Sequence, residues 1–218
     1  ADMDKSKKGS KEDRKGVFVT NQPRSPISEA FRSIRTNLEF YNIDQTLQVL
    51  VISSSEPEVG KTTIAANLAV TLAQGENRVL LLDADMRRPN VHKLLEISNR
   101  IGLSDLVRGK MSLQEVTQIS KNIKNLHVIT SGSLPPNPAD LIASQKMKSI
   151  IETLRERYDI VLIDTPPAVV SDAQVLSTKS DGVIFVLRPG KTRSIAVKTP
   201  LEEFYRVGAK VIGVVMNR

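Results

Sequence analysis

Six short segments rich in Val, Ile and Leu recur along the chain without regular polar alternation. Such segments are typical of parallel strands that helices cover on both faces. They predict strands at Val49–Ser53, Val79–Asp83, Leu126–Thr130, Ile160–Asp164, Val183–Leu187 and Val211–Val215.

Stretches with helical spacing lie between most of these segments. They predict helices at Ser25–Phe40, Thr62–Ala73, Ala139–Arg157 and Thr192–Val207. The first helix would place Ile27, Phe31, Ile34 and Leu38 on one face. This alternation predicts an α/β fold, with helices flanking a doubly wound, mostly parallel sheet. Because such sheets bind ligands at the carboxyl ends of their strands, we expect functional motifs directly after the apolar segments.

Composition narrows the classes of function. The 218 residues are 40% hydrophobic and 25% charged, which is typical of a globular domain. The absence of Cys excludes disulfides and Cys-ligated metals, and fits a reducing compartment. No apolar run approaches the ~20 residues that span a bilayer. The two histidines, His92 and His127, lack metal-ligand spacing.

The charge balance permits an anionic partner, since 31 Lys and Arg against 24 Asp and Glu give a formal net charge of +7. With five Phe, three Tyr and no Trp, a stacking platform for nucleic acid is not expected. The first fifteen residues hold six Lys or Arg and four Asp or Glu. They predict a disordered leader at residues 1–15, followed by a single domain at residues 16–218.

A phosphate-binding loop is predicted after the first strand, where Gly-Lys-Thr-Thr leads into an Ala-rich helix. In such loops backbone N–H groups surround an anion, a Lys reaches the β- and γ-phosphates, and the next hydroxyl binds Mg²⁺. Lys61 and Thr62 occupy these two positions. The candidate nucleotide-binding residues of the loop are Ser55, Glu56, Pro57, Glu58, Val59, Gly60, Lys61, Thr62 and Thr63.

The loop departs from the strict G-x-x-x-x-G-K-[ST] pattern at two positions. Ser55 stands at the first Gly, and Glu58 brings a carboxylate to a loop that should hold an anion. A non-Gly residue also resists a positive φ at this position. Gly-Lys-Thr alone could be an ordinary helix start, but the preceding strand and following helix favour a phosphate site.

Carboxylates follow the second and fourth predicted strands. Asp164 has the placement of a Walker B Asp, which holds Mg²⁺ directly or through water. Asp83 and Asp85 are two apart on an extended chain, so they can flank a metal and an acceptor hydroxyl. A single Asp at a strand end is usually a helix N-cap. Three of them beside Lys61 at one sheet edge favour a catalytic site.

Together these motifs resemble those of the bacterial tyrosine kinases of capsule and exopolysaccharide synthesis, P-loop proteins of the deviant-Walker, MinD/ParA-like class. Residues 80–89, an apolar run followed by Asp-x-Asp-x-Arg, are similar to their Walker A′ motif. Residues 164–174 resemble their Walker B motif and switch segment, and residues 131–141 resemble a further recurrent block.

Glu29, Arg32 and Arg35 match the E-x-x-R-x-x-R helix through which these kinases assemble into rings. Their spacing of three places them along one helix strip, where an exposed i,i+3 ion pair would be the ordinary explanation. The resemblance instead implies contacts between subunits of a homo-oligomeric ring.

The resemblance implies transfer of the ATP γ-phosphoryl group to tyrosine, with ATP or ADP and Mg²⁺ as cofactors. Lys61 and Thr62 would bind ATP·Mg²⁺, Asp85 and Asp164 would complete the metal site, and Asp83 would be the base that receives the tyrosine proton. Asp83, Lys61 and Asp85 are thus the expected catalytic residues, and Thr62, Asp85 and Asp164 the metal ligands. Asn217 lies where related ATPases place an adenine-contacting Asn.

The resemblance also implies a cytoplasmic protein at the inner face of the cell membrane. Its expected partners are a membrane polysaccharide co-polymerase or activator, or a fused N-terminal membrane segment, and a cognate tyrosine phosphatase. The family autophosphorylates between subunits on a tyrosine-rich C-terminal tail, which is absent from this chain. Tyr41, Tyr158 and Tyr205 are isolated and predicted to be packing residues.

Two alternatives stay open. One is a positioning ATPase of the MinD/ParA type, although Glu56 stands where those proteins carry an intermolecular Lys. The other is a regulatory nucleotide-binding module with weak catalysis, which Glu58 and the absent tail favour.

Overall fold

A single twisted sheet organises the computed structural model, which describes residues 16–190 and 194–217. Its strands are β1 Val49–Ser54, β2 Val79–Asp83, β3 Gln118–Ile119, β4 Leu126–Ile129, β5 Ile160–Asp164, β6 Gly182–Leu187 and β7 Val211–Met216. Their order is β3-β4-β2-β5-β1-β6-β7. The short β3 pairs antiparallel with β4, and the other pairs are parallel. The predicted fold class is therefore confirmed.

Helices connect the strands and cover both faces of the sheet. They are α1 Phe18–Asn21, α2 Pro26–Asp44, α3 Lys61–Gln74, α4 Val91–Leu94, α5 Leu103–Val107, α6 Leu113–Val116, α7 Pro138–Ala143, α8 Gln145–Arg157, α9 Ser171–Ser177 and α10 Ser194–Arg206. None of the described helices is both long and apolar enough to cross a bilayer.

The helix predicted at Ala139–Arg157 is two helices, α7 and α8, and Ser144 separates them. Ser144 has an extended backbone, with φ −68° and ψ 154°. Its hydroxyl accepts a hydrogen bond from the Met147 N–H at 3.1 Å. An N-cap of this kind satisfies an otherwise unpaired amide and starts a new helix, which periodicity alone did not show.

The inner strands of the sheet are buried on both faces because their side chains alternate between two apolar cores, whereas the edge strands β3 and β7 are partly exposed. Val49 and Leu82 pack in the core that also holds α8, while Leu50 and Ile52 pack in the core that holds α3. Phe185 of β6 meets Phe204 of α10 edge to face, with ring centroids 6.1 Å apart. This double coverage explains the uninterrupted apolar segments of the sequence.

One residue of the predicted helix face is exposed, one predicted packing residue is wrong, and two predicted segments lie wholly or partly outside the described residues. Ile27 is 47% exposed because it lies in the first turn of α2, where the Ser25 cap holds the chain. Tyr205 is 62% exposed because Phe204 takes the core position, and the next helical residue turns about 100° away. The predicted leader, residues 1–15, and the predicted start of the last helix lie outside the described residues.

Candidate nucleotide and metal site

The sheet order brings three motif-bearing strand ends together. β5 lies between β1 and β2, so its acidic end has the loop after β1 on one side and the acidic end of β2 on the other. Asp83 and Asp164 are direct partners in the β2–β5 register. The predicted juxtaposition at the carboxyl edge of the sheet is therefore present in the structure.

The first turn of α3 ties the loop to β5. Lys61 is 8% exposed, and its Nζ donates to Asp164 Oδ1 at 2.5 Å. The Thr62 hydroxyl donates to the other oxygen, Oδ2, at 2.8 Å. Gly60 precedes them with φ +85°, a left-handed conformation that glycine adopts without strain. Both oxygens of the Asp164 carboxylate thus contact the loop.

Asp83 is fully buried at the end of β2 and accepts three backbone hydrogen bonds. Its Oδ1 accepts from the Asp85 N–H at 3.1 Å. Its Oδ2 accepts from the N–H groups of Asn90 and Val91 at 3.2 and 3.1 Å. Burial raises the pKa of Asp83 to about 8, and the charge of Asp164 adds to the shift. At neutral pH this carboxyl keeps its proton.

Asp85 closes the turn after β2 and is 8% exposed. Its Oδ1 accepts from the Arg87 and Arg88 N–H groups at 3.2 and 2.9 Å. Burial raises the pKa of Asp164, with Lys61 and Thr62 opposing the shift and the charge of Asp85 adding to it. The site thus gathers three buried carboxyl groups around one buried ammonium.

This donor set fits Mg²⁺. The Thr62 hydroxyl and the carboxylates of Asp85 and Asp164 are hard oxygen donors, and the excess of buried acidic groups favours an added cation. No cluster of three or more His, Cys, Asp or Glu side chains forms a metal cage among the described residues. A bound Mg²⁺ would therefore take several ligands from water and phosphate, as this ion usually does.

The rest of the loop is partly buried. The Ser54 hydroxyl donates to the Glu56 carbonyl at 2.8 Å, while the buried Ser55 hydroxyl lacks a hydrogen-bond partner in the described chain. Pro57 is exposed, and Val59 is buried. Thr63, at the start of α3, is half-buried.

Glu58 adopts a left-handed conformation, with φ +59°. This is the conformation that a non-Gly residue is expected to resist at this position. Its side chain is exposed, so the carboxylate is not buried in the loop. The loop therefore has both features that oppose phosphate binding: a strained non-Gly residue and a negative charge.

Asn217 reaches the loop from the end of β7. Its backbone N–H donates to the Leu187 carbonyl at 2.8 Å, and its side-chain Nδ2 donates to the Val59 carbonyl at 2.9 Å. A Cβ placed on Gly60 would lie 2.1 Å from that Nδ2. The predicted adenine-contacting residue is thus next to the phosphate loop.

Comparisons with known proteins decide the family. Residues 47–205 match the family described as AAA domain. The Bacillus subtilis (strain 168) protein named Tyrosine-protein kinase YwqD is 40% identical over 94% of this chain and 86% of its own length. The chain belongs to the bacterial tyrosine-kinase family. A solved structure of the chimerical protein CapA2B2 has a TM-score of 0.89 and 42% identity, covering 93% of this chain and 89% of that one.

The bacterial tyrosine-kinase fold is shared more widely. The Pyrococcus horikoshii septum site-determining protein MinD, solved with Mg-ADP, has a TM-score of 0.67 at 23% identity, over 78% of this chain and 69% of its own. At that identity the likeness shows the P-loop fold alone. It therefore does not favour the positioning-ATPase alternative.

An ion pair that sequence reasoning missed ties the Walker A′ turn of this kinase-family chain to α9. Arg87 Nε lies 3.0 Å from Asp172 Oδ2, and Arg87 Nη2 lies 3.3 Å from Oδ1. Asp172 is 1% exposed in the first turn of α9. The sequence shows both residues, since Arg87 belongs to the Asp-x-Asp-x-Arg motif and Asp172 to the switch segment. It does not show that two residues 85 positions apart form a pair.

The three predicted oligomerisation residues lie away from this site, on α2. Arg32 pairs with Glu29 and donates from Nη2 to the Pro23 carbonyl at 2.5 Å. Arg35 Nη1 donates to the Thr71 carbonyl of α3 at 3.2 Å, and its side chain is 26% exposed. Glu29 and Arg32 are thus more accessible than Arg35, which contributes to the α2–α3 contact.

Proposed function

We propose that this chain is an ATP-dependent protein-tyrosine kinase domain that regulates capsular or exopolysaccharide synthesis and export. Family membership supports the reaction class. The observation that carries the proposal is the buried cluster in which Lys61 and Thr62 hold Asp164 beside Asp83. We assign phosphate binding, metal binding and proton acceptance to the members of this cluster, which share one edge of the sheet.

In this proposal the loop residues and Lys61 bind the phosphates of ATP, and Asn217 lies against the adenine. Thr62, Asp85 and Asp164 hold Mg²⁺, which supplies positive charge that neutralises phosphate oxygens. Lys61 adds a second positive charge where negative charge is transferred.

Asp83 is the proposed proton acceptor. The tyrosine oxygen forms a bond to the γ-phosphorus, the bond from that phosphorus to the bridging oxygen of ADP breaks, and the phenolic proton passes to Asp83. Positive charge brought beside a carboxyl lowers its pKa. A group whose pKa is about 8 is therefore poised to release its own proton and then accept one near neutral pH.

The experiment combines the chain with Mg·ATP and a tyrosine-bearing peptide and measures phosphotyrosine and released phosphate in parallel. The proposal predicts phosphotyrosine on the peptide. ATP hydrolysis without phosphotyrosine would favour the positioning ATPase, and formation of neither phosphotyrosine nor released phosphate would favour the catalytically weak regulatory module. Because Tyr205 is exposed, a Tyr205→Phe variant separates labelling of the chain itself from labelling of the peptide.

We further propose that the chain works as a ring with a membrane co-polymerase or activator, at the inner face of the cell membrane, and that a cognate phosphatase reverses its phosphorylation. Acceptor tyrosines would lie in a C-terminal tail outside this sequence. Arg32→Ala with Arg35→Ala is expected to give monomers by light scattering.

A matched control for the ring is Arg100→Ala with Arg206→Ala, which removes the same charge elsewhere and breaks a comparable i,i+3 ion pair to Glu203. An unchanged mass for the Arg32 and Arg35 variant would reject their role in assembly. A mass that falls equally in both variants would also reject it.

A further inference from the structure

The amino-terminal edge of the sheet, opposite the nucleotide site, contains a cavity of about 400 Å³. Its lining residues are Arg78, Lys124, Asn125, His127, Arg157 and Tyr158. They lie before or at the start of the neighbouring strands β2, β4 and β5, so the cavity shares no residue with the loop or the acidic strand ends.

The backbone of this cavity is held by hydrogen bonds between the three strands. The Val79 N–H donates to the Asn125 carbonyl at 2.9 Å. The Arg78 carbonyl accepts from the N–H groups of Asp159 and Ile160 at 2.9 and 3.2 Å. The cavity is therefore built into the sheet edge and does not depend on the placement of a long loop.

The lining includes three cations and no carboxylate. Asp159 neutralises Arg78 through two contacts, at 2.8 and 3.1 Å. Lys124 and Arg157 have no carboxylate within ion-pair distance among residues 16–190 and 194–217, and both side chains are exposed. Two positive charges thus border the cavity without an anionic partner in that part of the chain.

Two aromatic rings form a neutral wall. His127 Nδ1 and the Tyr158 hydroxyl are hydrogen-bonded at 2.8 Å, and the rings meet edge to face at 5.5 Å. Burial lowers the pKa of His127, so the imidazole is uncharged at neutral pH. Tyr158 is 8% exposed, which fixes this wall in the core of the fold.

We propose that this cavity binds a small organic phosphate monoester, with the phosphate at Lys124 and Arg157 and the organic group against His127 and Tyr158. Arg and Lys are the side chains that most often bind phosphate, and two unpaired cations match its double charge. A volume of about 400 Å³ exceeds what a phosphate alone fills and falls in the range of small-molecule sites. The inference does not depend on the proposed kinase activity.

The test uses the imidazole NMR signals of the chain, since it has two histidines and one of them lines the cavity. Phenyl phosphate is titrated into the protein, and a saturable shift of the His127 signal is expected with half-saturation at about 1 mM or below. His92 on α4 follows Val91, which bonds to Asp83, so its signal reports separately on phosphate at the nucleotide site.

The variant Lys124→Gln with Arg157→Gln is expected to weaken the His127 response at least about tenfold. Its matched control, Lys110→Gln with Lys146→Gln, removes the same charge from exposed positions outside the cavity and should leave the response unchanged. Inorganic phosphate is expected to bind more weakly than phenyl phosphate, because it lacks the group that contacts the aromatic wall.

Three results would overturn the proposal. The first is the absence of a saturable His127 shift. The second is an equal response in the Lys124 and Arg157 variant and in its control. The third is equal affinity for inorganic phosphate and phenyl phosphate, which would show that the organic group is not recognised.

Discussion

The two edges of the sheet shift the pKa values of buried and paired aspartates in opposite directions. At the carboxyl edge, burial raises the pKa values of Asp83 and Asp164. At the amino edge, hydrogen bonds from Arg78 lower the pKa of Asp159. There the pKa of Asp181 is also lowered, because hydrogen bonds from Arg155 and two backbone N–H groups outweigh the opposing effect of burial.

This contrast indicates that the aspartates of the amino edge stabilise the fold, whereas those of the carboxyl edge serve the candidate site. At the amino edge, Asp181 Oδ2 accepts from the Gln48 and Val49 N–H groups at 2.9 and 2.8 Å and pairs with Arg155, so it anchors the start of β1. At the carboxyl edge, acidic groups outnumber Lys61, which is costly for the folded chain but prepares a site for a cation and a proton. Substitutions at the two edges should therefore have different consequences.

After Asp83, the largest effect is expected from Lys61→Met. It removes a buried ammonium from the carboxyl edge, and the rate of phosphotyrosine formation should fall by about 10²–10³-fold. The melting temperature should change little, because Asp164, whose pKa burial raises, can take up a proton. Kinase assays and thermal unfolding check both parts. A rate within tenfold of the parent would remove Lys61 from the mechanism.

Gly60→Ala should have the next largest effect, about 2 kcal/mol in the free energy of unfolding. The new Cβ would displace the Asn217 amide from the Val59 carbonyl, in addition to the strain at φ +85°. Gly109→Ala is the matched control, since that glycine has φ +72° and open space around its Cβ position. Equal losses by chemical denaturation would show that the Asn217 contact adds nothing.

Asp181→Asn should destabilise the chain by about 1–2 kcal/mol at neutral pH, because it weakens charge-assisted hydrogen bonds to a side chain that is 22% exposed. The folded pKa lies below the ordinary value of 3.8, so the carboxylate stabilises the fold above that value. The difference between parent and variant should be constant above about pH 5 and vanish as the pH falls through the folded pKa.

Chemical denaturation at several pH values measures this difference. Asp44→Asn, at an exposed position at the end of α2, is the control and should show no such dependence. A difference for Asp181→Asn that persists undiminished in acid would mean that its charge is not the source of stability.

Glu58→Gly should have the smallest effect. Relief of the left-handed conformation should stabilise the fold by about 0.5–1 kcal/mol, and loss of the carboxylate should tighten ADP binding a few-fold. Glu96→Gly relieves a similar conformation, φ 53°, away from the loop. Calorimetry should therefore show tighter ADP binding for Glu58→Gly alone. Equal ADP affinity in both variants would show that the Glu58 charge does not reach the nucleotide.

Much of the sheet was predictable because burial on both faces leaves a strong apolar signal. The predicted bounds of β2 and β5 match the structure, and their terminal Asp83 and Asp164 adjoin as expected. By contrast, β3 has two residues and lies antiparallel at the sheet edge, so its sequence carries no apolar run. Strand length and coverage thus decided what could be recognised.

The candidate site was predictable where chemistry is confined to a short motif, as with Lys61 and Thr62. It was not predictable where the site depends on a contact between residues that lie far apart in the sequence. The Arg87–Asp172 pair and the Asn217 contact with the loop depend on the order of strands in the sheet, which local patterns do not specify.

The central claim is tested most directly by the initial rate of phosphotyrosine formation in Asp83→Asn, measured beside the dissociation constant for ADP. If Asp83 accepts the tyrosine proton, the rate should fall by about 10²–10⁴-fold. Binding of ADP should stay within about threefold, since Lys61 and Thr62 are untouched. A rate close to that of the parent, at unchanged ADP affinity, would contradict the account.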